Sequence, residues 1–289
     1  MMKPRHIGGC LDEATRRLSD AGIAGARKEA RLLMGFWLNR DPAQLFGPQD
    51  EKVGTPESFF DLVDRRVSRE PLSHLVGHRE FWSLEFEVSN NVLTPRPDSE
   101  ILIETGLSYW PDHSDFFSVL DLGTGSGCLL LSFLKSRPYA IGVGVDVSGV
   151  ALDIARRNAS FIVPDGRAQF LRADWGSSIS KPFDLVVSNP PYIPSNDIAE
   201  LDAEVKNFEP LLALDGGIDG LEAYKCLVKD LARLITPTGV ILLEIGSGQS
   251  GQVTSILETY GLVVEDIKKD LAGRNRCLVV RNQMNDAVK

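Results

Sequence analysis

A short segment after an apolar stretch carries the groups best suited to hold a planar nitrogen. It is Ser188-Asn189-Pro190-Pro191-Tyr192, and it follows directly on the apolar run 183–187. The amide oxygen of Asn189 and a proline carbonyl can each accept a hydrogen bond from an NH2 group, while Tyr192 offers a ring to a planar ligand. The prolines hold that backbone rigid. Two fixed acceptors predict a site that orients one nitrogen.

A glycine-rich turn lies upstream, at the end of another apolar segment. The segment Asp121-Leu122-Gly123-Thr124-Gly125-Ser126-Gly127 leads into an apolar pattern that begins at Cys128. Glycines permit a tight turn and let a ligand approach the backbone, whose N–H groups at a helix start can hold a polar group. Taken alone, such a turn also fits NAD, a flavin or a purely structural role.

The spacing around the turn favours S-adenosylmethionine as the ligand. Asp146 stands about 20 residues beyond the turn, where a carboxylate can accept both hydroxyls of an adenosine ribose. The glycines fall as GxGxG, whereas a dinucleotide pyrophosphate needs the longer GxGxxG turn. S-adenosylmethionine carries no phosphate, and the Asp121 carboxylate suits its amino group. Asp174 and Trp175 follow the next strand pattern and offer an acceptor and a ring to adenine, although a core position for Trp175 stays equally open.

The elements that must position these groups alternate between short apolar strands and amphipathic helices. This alternation predicts an α/β fold with a parallel sheet flanked by helices. We predict strands at 118–122, 141–147, 169–173, 185–189 and 240–245, with a further pair at 262–267 and 277–281 that adds an antiparallel edge. Ligands gather beyond the carboxyl ends of strands in such sheets, so the turn and the asparagine segment should face one crevice.

The chain before this alternation has a different pattern. Residues 1–75 carry apolar side chains at helical spacing, and breaks at Ala21-Gly22, Asp41-Pro42, Gly47-Pro48 and near Pro56 predict several short helices and no strand. We predict a small helical domain with Leu32, Leu33, Phe36 and Trp37 in its core. Residues 76–93 are predicted to form a linker hairpin, and residues 94–289 the α/β domain, which opens with a helix from Pro97 to about Trp110.

Composition excludes several classes of protein. The net charge of -9 argues against tight nonspecific binding to nucleic acid. The four cysteines form no CxxC pair, and the four histidines lack the HExxH pattern, so neither zinc nor a disulfide is expected. His74 and His78, four residues apart, are weak evidence for a metal site. We expect a cytoplasmic protein, because no apolar run approaches the ~20 residues of a membrane span and the N-terminus has no apolar signal core.

Several segments together resemble one family over nearly the whole chain. The family is the release factor glutamine methyltransferases, also called PrmC or HemK. Ser99 stands where that family more often has threonine. The similar segments are Gly77-His78-Arg79-Glu80-Phe81-Trp82, Pro95-Arg96-Pro97-Asp98-Ser99-Glu100, the glycine turn, Asn189-Pro190-Pro191-Tyr192-Ile193, Phe208-Glu209-Pro210, Asp219-Gly220-Leu221 and Leu243-Glu244-Ile245-Gly246.

The resemblance implies an activity, a fold and site residues. The activity is methylation of the glutamine in the GGQ motif of class I peptide chain release factors by S-adenosylmethionine. The fold is a Rossmann-like, seven-stranded class I methyltransferase domain behind a helical substrate-binding domain. With the two acids argued above, the cofactor contacts are Asp121, Gly123, Thr124, Gly125, Ser126, Gly127, Asp146, Asp174, Trp175 and Asn189. The substrate contacts are Asn189, Pro190, Pro191 and Tyr192, with Asn189, Pro190 and Tyr192 as catalytic residues.

Three alternatives remain open at this point. Adenine has a similar NH2-bearing edge, so an adenine-N6 DNA methyltransferase fits the same segment. Two observations oppose it: the chain is acidic, and it has no room for a basic target-reading domain. A ribosomal-protein glutamine methyltransferase would share every central motif. A noncatalytic adenosine-binding module gives the asparagine segment no purpose. Methyl transfer to an amide requires no strong base, and Glu100 and Glu209 are the candidates if one acts.

Overall fold

The computed structural model of the 289-residue chain describes residues 5–47, 50–54 and 56–283. Within these residues the α-helices are α1 (Ile7–Asp20), α2 (Ala26–Leu38), α3 (Glu57–Val67), α4 (Leu72–Val76), α5 (Glu100–Leu107), α6 (Cys128–Ser136), α7 (Gly149–Ile162), α8 (Ala203–Lys206), α9 (Glu222–Leu234) and α10 (Ser250–Glu258). None of the helices in this described part has the length and apolar character that a membrane span requires.

The strands form one large sheet and two short pairs. They are β1 (Arg5–His6), β2 (Lys52–Val53), β3 (His78–Phe81), β4 (Leu84–Glu87), β5 (Ser118–Leu122), β6 (Ile141–Asp146), β7 (Ala168–Arg172), β8 (Phe183–Ser188), β9 (Ile235–Glu244), β10 (Leu262–Lys269) and β11 (Asn275–Asn282). The chain divides into two compact units, Met1–His78 with Asp202–Phe208 and Arg79–Leu201 with Glu209–Lys289. The boundaries that we predict from the sequence near residues 75 and 93 stay predictions, and we did not predict the place of Asp202–Phe208 in the first unit.

The first unit is mainly helical, with α1, α2 and α3 packed on a common apolar core that includes Leu11, Leu33 and Phe59. Two details of the prediction are wrong. A two-residue antiparallel pair, β1 with β2, was not foreseen, because two residues are too few to show an alternating pattern. The predicted core stripe on α2 is also displaced: the buried face includes Ala26, Ala30, Leu33 and Met34, and Phe36 at its edge is 45% exposed.

A buried arginine joins three segments of the first unit. The Arg66 guanidinium on α3 is only 4% exposed and contacts the carboxylates of Glu29 at 2.6 Å and Glu204 at 2.8 Å. Glu204 lies in the Asp202–Phe208 segment, so this arginine ties that segment to α2 and α3. The cation offsets the repulsion between the two carboxylates, which would be uncompensated without it.

We expect Arg66→Met to lower the free energy of unfolding by about 2 to 3 kcal/mol. This is less than the roughly 3 to 5 kcal/mol for a fully buried pair, because both carboxylates keep some contact with water. Arg65→Met is the matched control, since Arg65 pairs with Glu70 but its side chain is 53% exposed, and it should cost about 1 kcal/mol or less. Urea unfolding of both variants measures the difference, and equal losses would contradict the role of Arg66.

The second unit is built on the predicted sheet. Its strand order is β10-β11-β9-β8-β5-β6-β7, with β9, β8, β5, β6 and β7 parallel and β11 antiparallel to both β9 and β10. The parallel sheet with an antiparallel edge is therefore confirmed. The largest boundary difference is at β9, which begins at Ile235 rather than residue 240, because Pro237 and Gly239 interrupt its apolar pattern.

Helices cover the two faces of this sheet, as the alternation along the strands requires. Val119 of β5 lies in the apolar cluster that holds Leu130 of α6, whereas Leu120 lies in the cluster that holds Leu227 of α9. From β5 the chain continues to β6, which pairs with β5 on one side. It later returns to β8, which pairs with β5 on the other side. This change of direction opens a crevice beyond the carboxyl ends of β5 and β8, which is where ligands bind in open α/β sheets.

The predicted hairpin is formed by β3 and β4. Trp82 and Ser83 connect the strands with φ angles of 53° and 56°, the left-handed conformation that a two-residue turn demands. The Trp82 backbone N–H donates to Glu100 Oε1 at 3.0 Å, and its indole N–H donates to Ser136 Oγ at 3.0 Å. These two bonds fix the hairpin on the start of α5 and the end of α6.

Candidate active site

A cavity of about 670 Å3 lies at the carboxyl ends of the parallel strands of the second unit. Its volume is in the range that holds a small-molecule ligand. The structure brings most of the predicted residues to it, whereas Asp121, Gly127, Pro190 and Tyr192 are not in its wall. The predicted residues that line it are Gly123, Thr124, Gly125, Ser126, Asp146, Asp174, Trp175, Asn189 and Pro191.

The glycine turn joins β5 to α6 in a conformation that needs glycine. Gly123, Gly125 and Gly127 all have positive φ angles. A Cβ at Gly127 would also stand 3.3 Å from the Cβ of Ala155 on α7, so the third glycine allows α6 and α7 to approach. The Trp175 ring lies against Gly123, where a Cβ would meet it at 3.4 Å. The turn therefore has an aromatic wall on one side.

Asp146, at the end of β6, faces the cavity with its carboxylate held in place. Its Oδ2 accepts from the Gly125 N–H at 2.9 Å and its Oδ1 from the Ser148 N–H at 2.8 Å. Burial raises the pKa of Asp146, and these N–H groups oppose the rise because they favour the charged form. A carboxylate can accept about four hydrogen bonds, so both oxygens keep capacity for ligand hydroxyls.

Asp121 lies beneath the turn rather than in the cavity wall. It is fully buried, and its Oδ2 accepts from Thr124 Oγ1 at 2.6 Å and from the Leu130 N–H at 3.3 Å. Oδ1 is buried without a donor in the described part of the chain. Burial raises the pKa of Asp121 to about 7. Its place supports the shape of the turn, and contact with a ligand amino group stays a prediction.

We expect Asp121→Asn to weaken the pH dependence of stability. The folded-state pKa of about 7 exceeds the ordinary 3.8, so the folded protein binds this proton more tightly than the unfolded chain does. The contribution to the free energy of unfolding therefore falls as pH rises from about 4 to about 7. Urea unfolding near pH 5 and pH 7 should show a fall in wild type that is larger than in the variant by on the order of 1 to 2 kcal/mol. Identical pH dependence in both proteins would contradict the shifted pKa.

The asparagine segment begins where β8 ends. Ser188 Oγ donates to the Leu122 carbonyl at 2.6 Å, which joins the ends of β8 and β5 below the cavity. Asn189 follows in the cavity wall, and its Nδ2 donates to Ser99 Oγ at 3.1 Å. The NH2 group of the Asn189 amide therefore bonds to the protein. In the described residues, no protein group donates to its Oδ1.

Two residues that support this segment had no assigned role in the sequence analysis. Gln249 Nε2 donates to the Tyr192 carbonyl at 2.9 Å, and Gln249 Oε1 accepts from the Gly246 N–H at 2.9 Å. Glu244, 1% exposed at the end of β9, accepts from Ser99 Oγ at 2.5 Å and from Tyr192 Oη at 3.4 Å. The similarity of the Leu243-Glu244-Ile245-Gly246 segment was the only sequence signal for Glu244, and no signal pointed to Gln249. Tyr192 thus contacts Glu244 behind the cavity wall.

The two candidate bases are not among the residues that line the cavity. Glu100 accepts from the Trp82 N–H, and Glu209 contacts Arg96 at 2.6 Å with its side chain 2% exposed. Neither carboxylate is in the cavity wall, so the structure offers no support for either as a general base. In the described part of the chain, no group of three or more histidine, cysteine or acidic side chains is arranged to hold a metal ion. Within the described residues, no disulfide joins Cys10, Cys128, Cys226 or Cys277.

The fold and this cavity define the class of Rossmann-like methyltransferases, and two family models match the chain. One described as PrmC N-terminal domain matches residues 10–77, and one described as Methyltransferase small domain matches residues 99–205. The solved structure of a methyltransferase from Pyrococcus furiosus shares the fold, with a TM-score of 0.51 and 17% identity over 68% of this chain and 88% of that one.

Sequence relatives give the family within that class. The chain is 45% identical over 280 residues to the release factor glutamine methyltransferase of Rhodospirillum rubrum, covering 96% of this chain and 85% of that protein. It is 40% identical over 275 residues to the one of Caulobacter vibrioides, covering 94% and 95%. This chain belongs to the release factor glutamine methyltransferase family, and the predicted resemblance is confirmed.

Proposed function

We propose that this chain transfers a methyl group from S-adenosylmethionine to the side-chain amide nitrogen of the glutamine in the GGQ motif of class I peptide chain release factors. The relatives named above support the proposal, because they are named for a release factor glutamine. The observation that carries it is the Asn189 amide in the cavity wall, whose Nδ2 is bound by Ser99 while its Oδ1 has no protein donor in the described residues.

The residues of the cavity suit S-adenosylmethionine. The Asp146 carboxylate keeps capacity for two ribose hydroxyls, and the Trp175 ring beside Gly123 offers a face to adenine. The cavity of about 670 Å3 has room for the cofactor and a substrate side chain. When bound, the cofactor supplies the methyl group on a sulfonium. We assign Asp146, Asp174, Trp175 and the turn Gly123–Gly127 to holding it.

Asn189 and its neighbours act on the substrate nitrogen. An amide nitrogen is a poor nucleophile because its lone pair is delocalised into the carbonyl. Acceptors aimed at its two hydrogens stabilise the positive charge that builds on nitrogen during transfer. We assign this role to Asn189 Oδ1, which lies in the cavity wall beside Pro191. For the carbonyl of Pro190 and the ring of Tyr192, neither of which lines the cavity, substrate contact stays a prediction from the family resemblance. Most of the rate then comes from positioning, and the proton can leave after transfer.

We infer that the first unit binds the release factor. A complete catalytic fold with a separate helical unit suggests a docking role, and a family model described as PrmC N-terminal domain matches residues 10–77. Deleting residues 1–75 should preserve cofactor binding by the second unit and abolish methylation of the release factor. Cofactor titration and methylation assays on the truncated and full chains measure both effects. Full activity of the truncated chain on intact release factor would exclude docking by this unit.

A substrate competition separates the proposal from its alternatives. We expect labelled cofactor to deliver its methyl to a release factor, and not to a ribosomal protein or to adenine-containing DNA offered to the same enzyme. The net charge of -9 favours a protein substrate over DNA. Label on DNA alone, or on the ribosomal protein alone, would overturn the substrate assignment. Because release factors act with ribosomes, we expect the protein to work in the cytoplasm.

A further inference from the structure

The Asn189 amide is linked through Ser99 to Glu244, and both residues come from distant parts of the second unit. Asn189 Nδ2 lies 3.1 Å from Ser99 Oγ, and Ser99 Oγ lies 2.5 Å from Glu244 Oε2. Ser99 ends the short 310 helix Pro97–Ser99 and is 3% exposed, while Glu244 ends β9 and is 1% exposed. Glu244, Ser99 and Asn189 therefore form a line of hydrogen-bonded polar groups, buried or half-buried, from the sheet to the cavity.

The order of donors along this line follows from the chemistry of a hydroxyl. A serine has one proton to donate, and an ionised carboxylate can only accept. The proton of Ser99 therefore goes to Glu244, and the short distance of 2.5 Å is typical of a hydroxyl that donates to a charged oxygen. Ser99 then faces Asn189 as an acceptor, so the atom of the amide that faces Ser99 must be the donor Nδ2. This leaves Asn189 Oδ1 for the cavity.

We propose that Ser99 and Glu244 are positioning residues that select the orientation of the Asn189 amide, so that its oxygen and not its NH2 group faces the substrate nitrogen. The inference rests on the proposed function, because it explains how the assigned acceptor is kept in the correct orientation. If the amide turned over, its NH2 group would oppose the substrate NH2 group, and one of the two acceptors would be lost. Glu244 is not in the cavity wall, and Ser99, which lines the cavity, is 3% exposed and uses its hydroxyl on Glu244 and Asn189.

The far end of the line is itself fixed, which a positioning role requires. Tyr224 Oη donates to the Glu244 carbonyl at 2.9 Å, and Arg276 Nη1 donates to the adjacent Ile245 carbonyl at 3.0 Å. Tyr192 Oη donates to the other carboxylate oxygen of Glu244. Glu244 is thus linked to both ends of the segment Asn189–Tyr192. Ser99 connects it to Asn189, and Tyr192 donates to it directly.

The charge of Glu244 determines which groups donate and which accept in the hydrogen bonds that join Glu244, Ser99 and Asn189. Burial raises the pKa of Glu244 to about 7, the bond from Ser99 and the charge of Arg276 oppose the rise, and Asp98 adds to it. A protonated Glu244 can donate to Ser99, which frees the serine proton for Asn189 and permits the wrong orientation. The correct orientation is therefore present above pH 7 and is lost as pH falls through the pKa. The titratable and charged groups that interact electrostatically with Glu244 are Asp98, Cys128, Tyr192, Tyr224, Arg276 and Cys277.

The test compares Ser99→Ala with Ser99→Thr in the full chain. Threonine keeps the hydroxyl and alanine removes it, so we expect kcat near the wild-type value for threonine and about tenfold to a hundredfold lower for alanine. Cofactor Kd and the KM for release factor should change little in both, because the Ser99 hydroxyl bonds to Glu244 and Asn189 and is not assigned to either ligand. An alanine variant as fast as wild type, or a threonine variant as slow as the alanine one, would overturn the positioning role.

A second variant tests the carboxylate and guards against poor folding of the threonine protein. Glu244→Gln cannot change its charge, so we expect its lower kcat to be nearly constant between about pH 6 and pH 8, whereas wild-type kcat falls on the acid side. An acid fall that persists in this variant would overturn the role of Glu244. Failure of the proposed function is distinguishable, because wild type itself would then transfer no methyl to the release factor. The same variants would in that case be compared on whichever nitrogen substrate wild type methylates.

Discussion

Asn189→Ala is expected to slow methyl transfer to a release factor by on the order of a hundredfold or more. The substitution removes the only side-chain acceptor that we assign to the substrate nitrogen, and loss of one preorganised contact to developing charge typically costs this much. Cofactor affinity should fall much less, because the contacts assigned to the ribose and adenine are made by other residues. Single-turnover methylation with saturating cofactor measures the chemical step directly.

Asn189→Asp tests the same position with the shape kept and the charge changed. Aspartate retains an acceptor oxygen but places a carboxylate beside the sulfonium and cannot donate to Ser99 Oγ as the amide does. We expect tighter cofactor binding together with slower transfer, because the added attraction stabilises the ground state. An alanine variant that transfers methyl at nearly the wild-type rate would show that Asn189 does not hold the nitrogen.

Asp146→Ala is expected to weaken cofactor binding by roughly 2 to 4 kcal/mol, the size of two hydrogen bonds to a charged group. The ribose hydroxyls lie far from the transferred methyl, so the single-turnover rate at saturating cofactor should change little. Asp165→Ala is the matched control, because this aspartate pairs with Arg167 and its side chain is 52% exposed. Calorimetric titration of both variants measures the loss. Unchanged affinity in a folded Asp146→Ala protein would reject the ribose contact.

The centre of the sheet could be predicted from the sequence because β5, β8 and the second half of β9 are buried on both faces and therefore stand out as short apolar runs. Ser118–Leu122 has the bounds expected of it, and β6 ends at Asp146, one residue before the predicted end at Val147. Glycines and prolines also mark their own positions, since few other residues fit left-handed or rigid backbone. For these reasons the turn and the asparagine segment could be placed at one crevice without coordinates.

The support behind the cavity wall could not be predicted in the same way. Ser99 is far in the chain from Glu244 and Gln249, all three are far from the segment they support, and their contacts with Asn189 and Tyr192 depend on packing that no local pattern encodes. Glu244 ends an apolar strand and could equally have been a solvated charge at a strand end. Asp121 shows the same limit, because its burial beneath the turn follows from the position of α6 and not from its neighbours in sequence.

The most direct test of the central claim is to locate the methyl group on the product. Wild-type enzyme would be incubated with S-adenosylmethionine and an intact class I release factor, and the peptides of the factor analysed by tandem mass spectrometry. A release factor whose GGQ glutamine is replaced by alanine provides the control. We expect one added methyl group on the side-chain nitrogen of that glutamine and none on the control factor. A methyl group on any other residue, or equal methylation of the control, would contradict the claim that this chain is a methyltransferase of the GGQ glutamine.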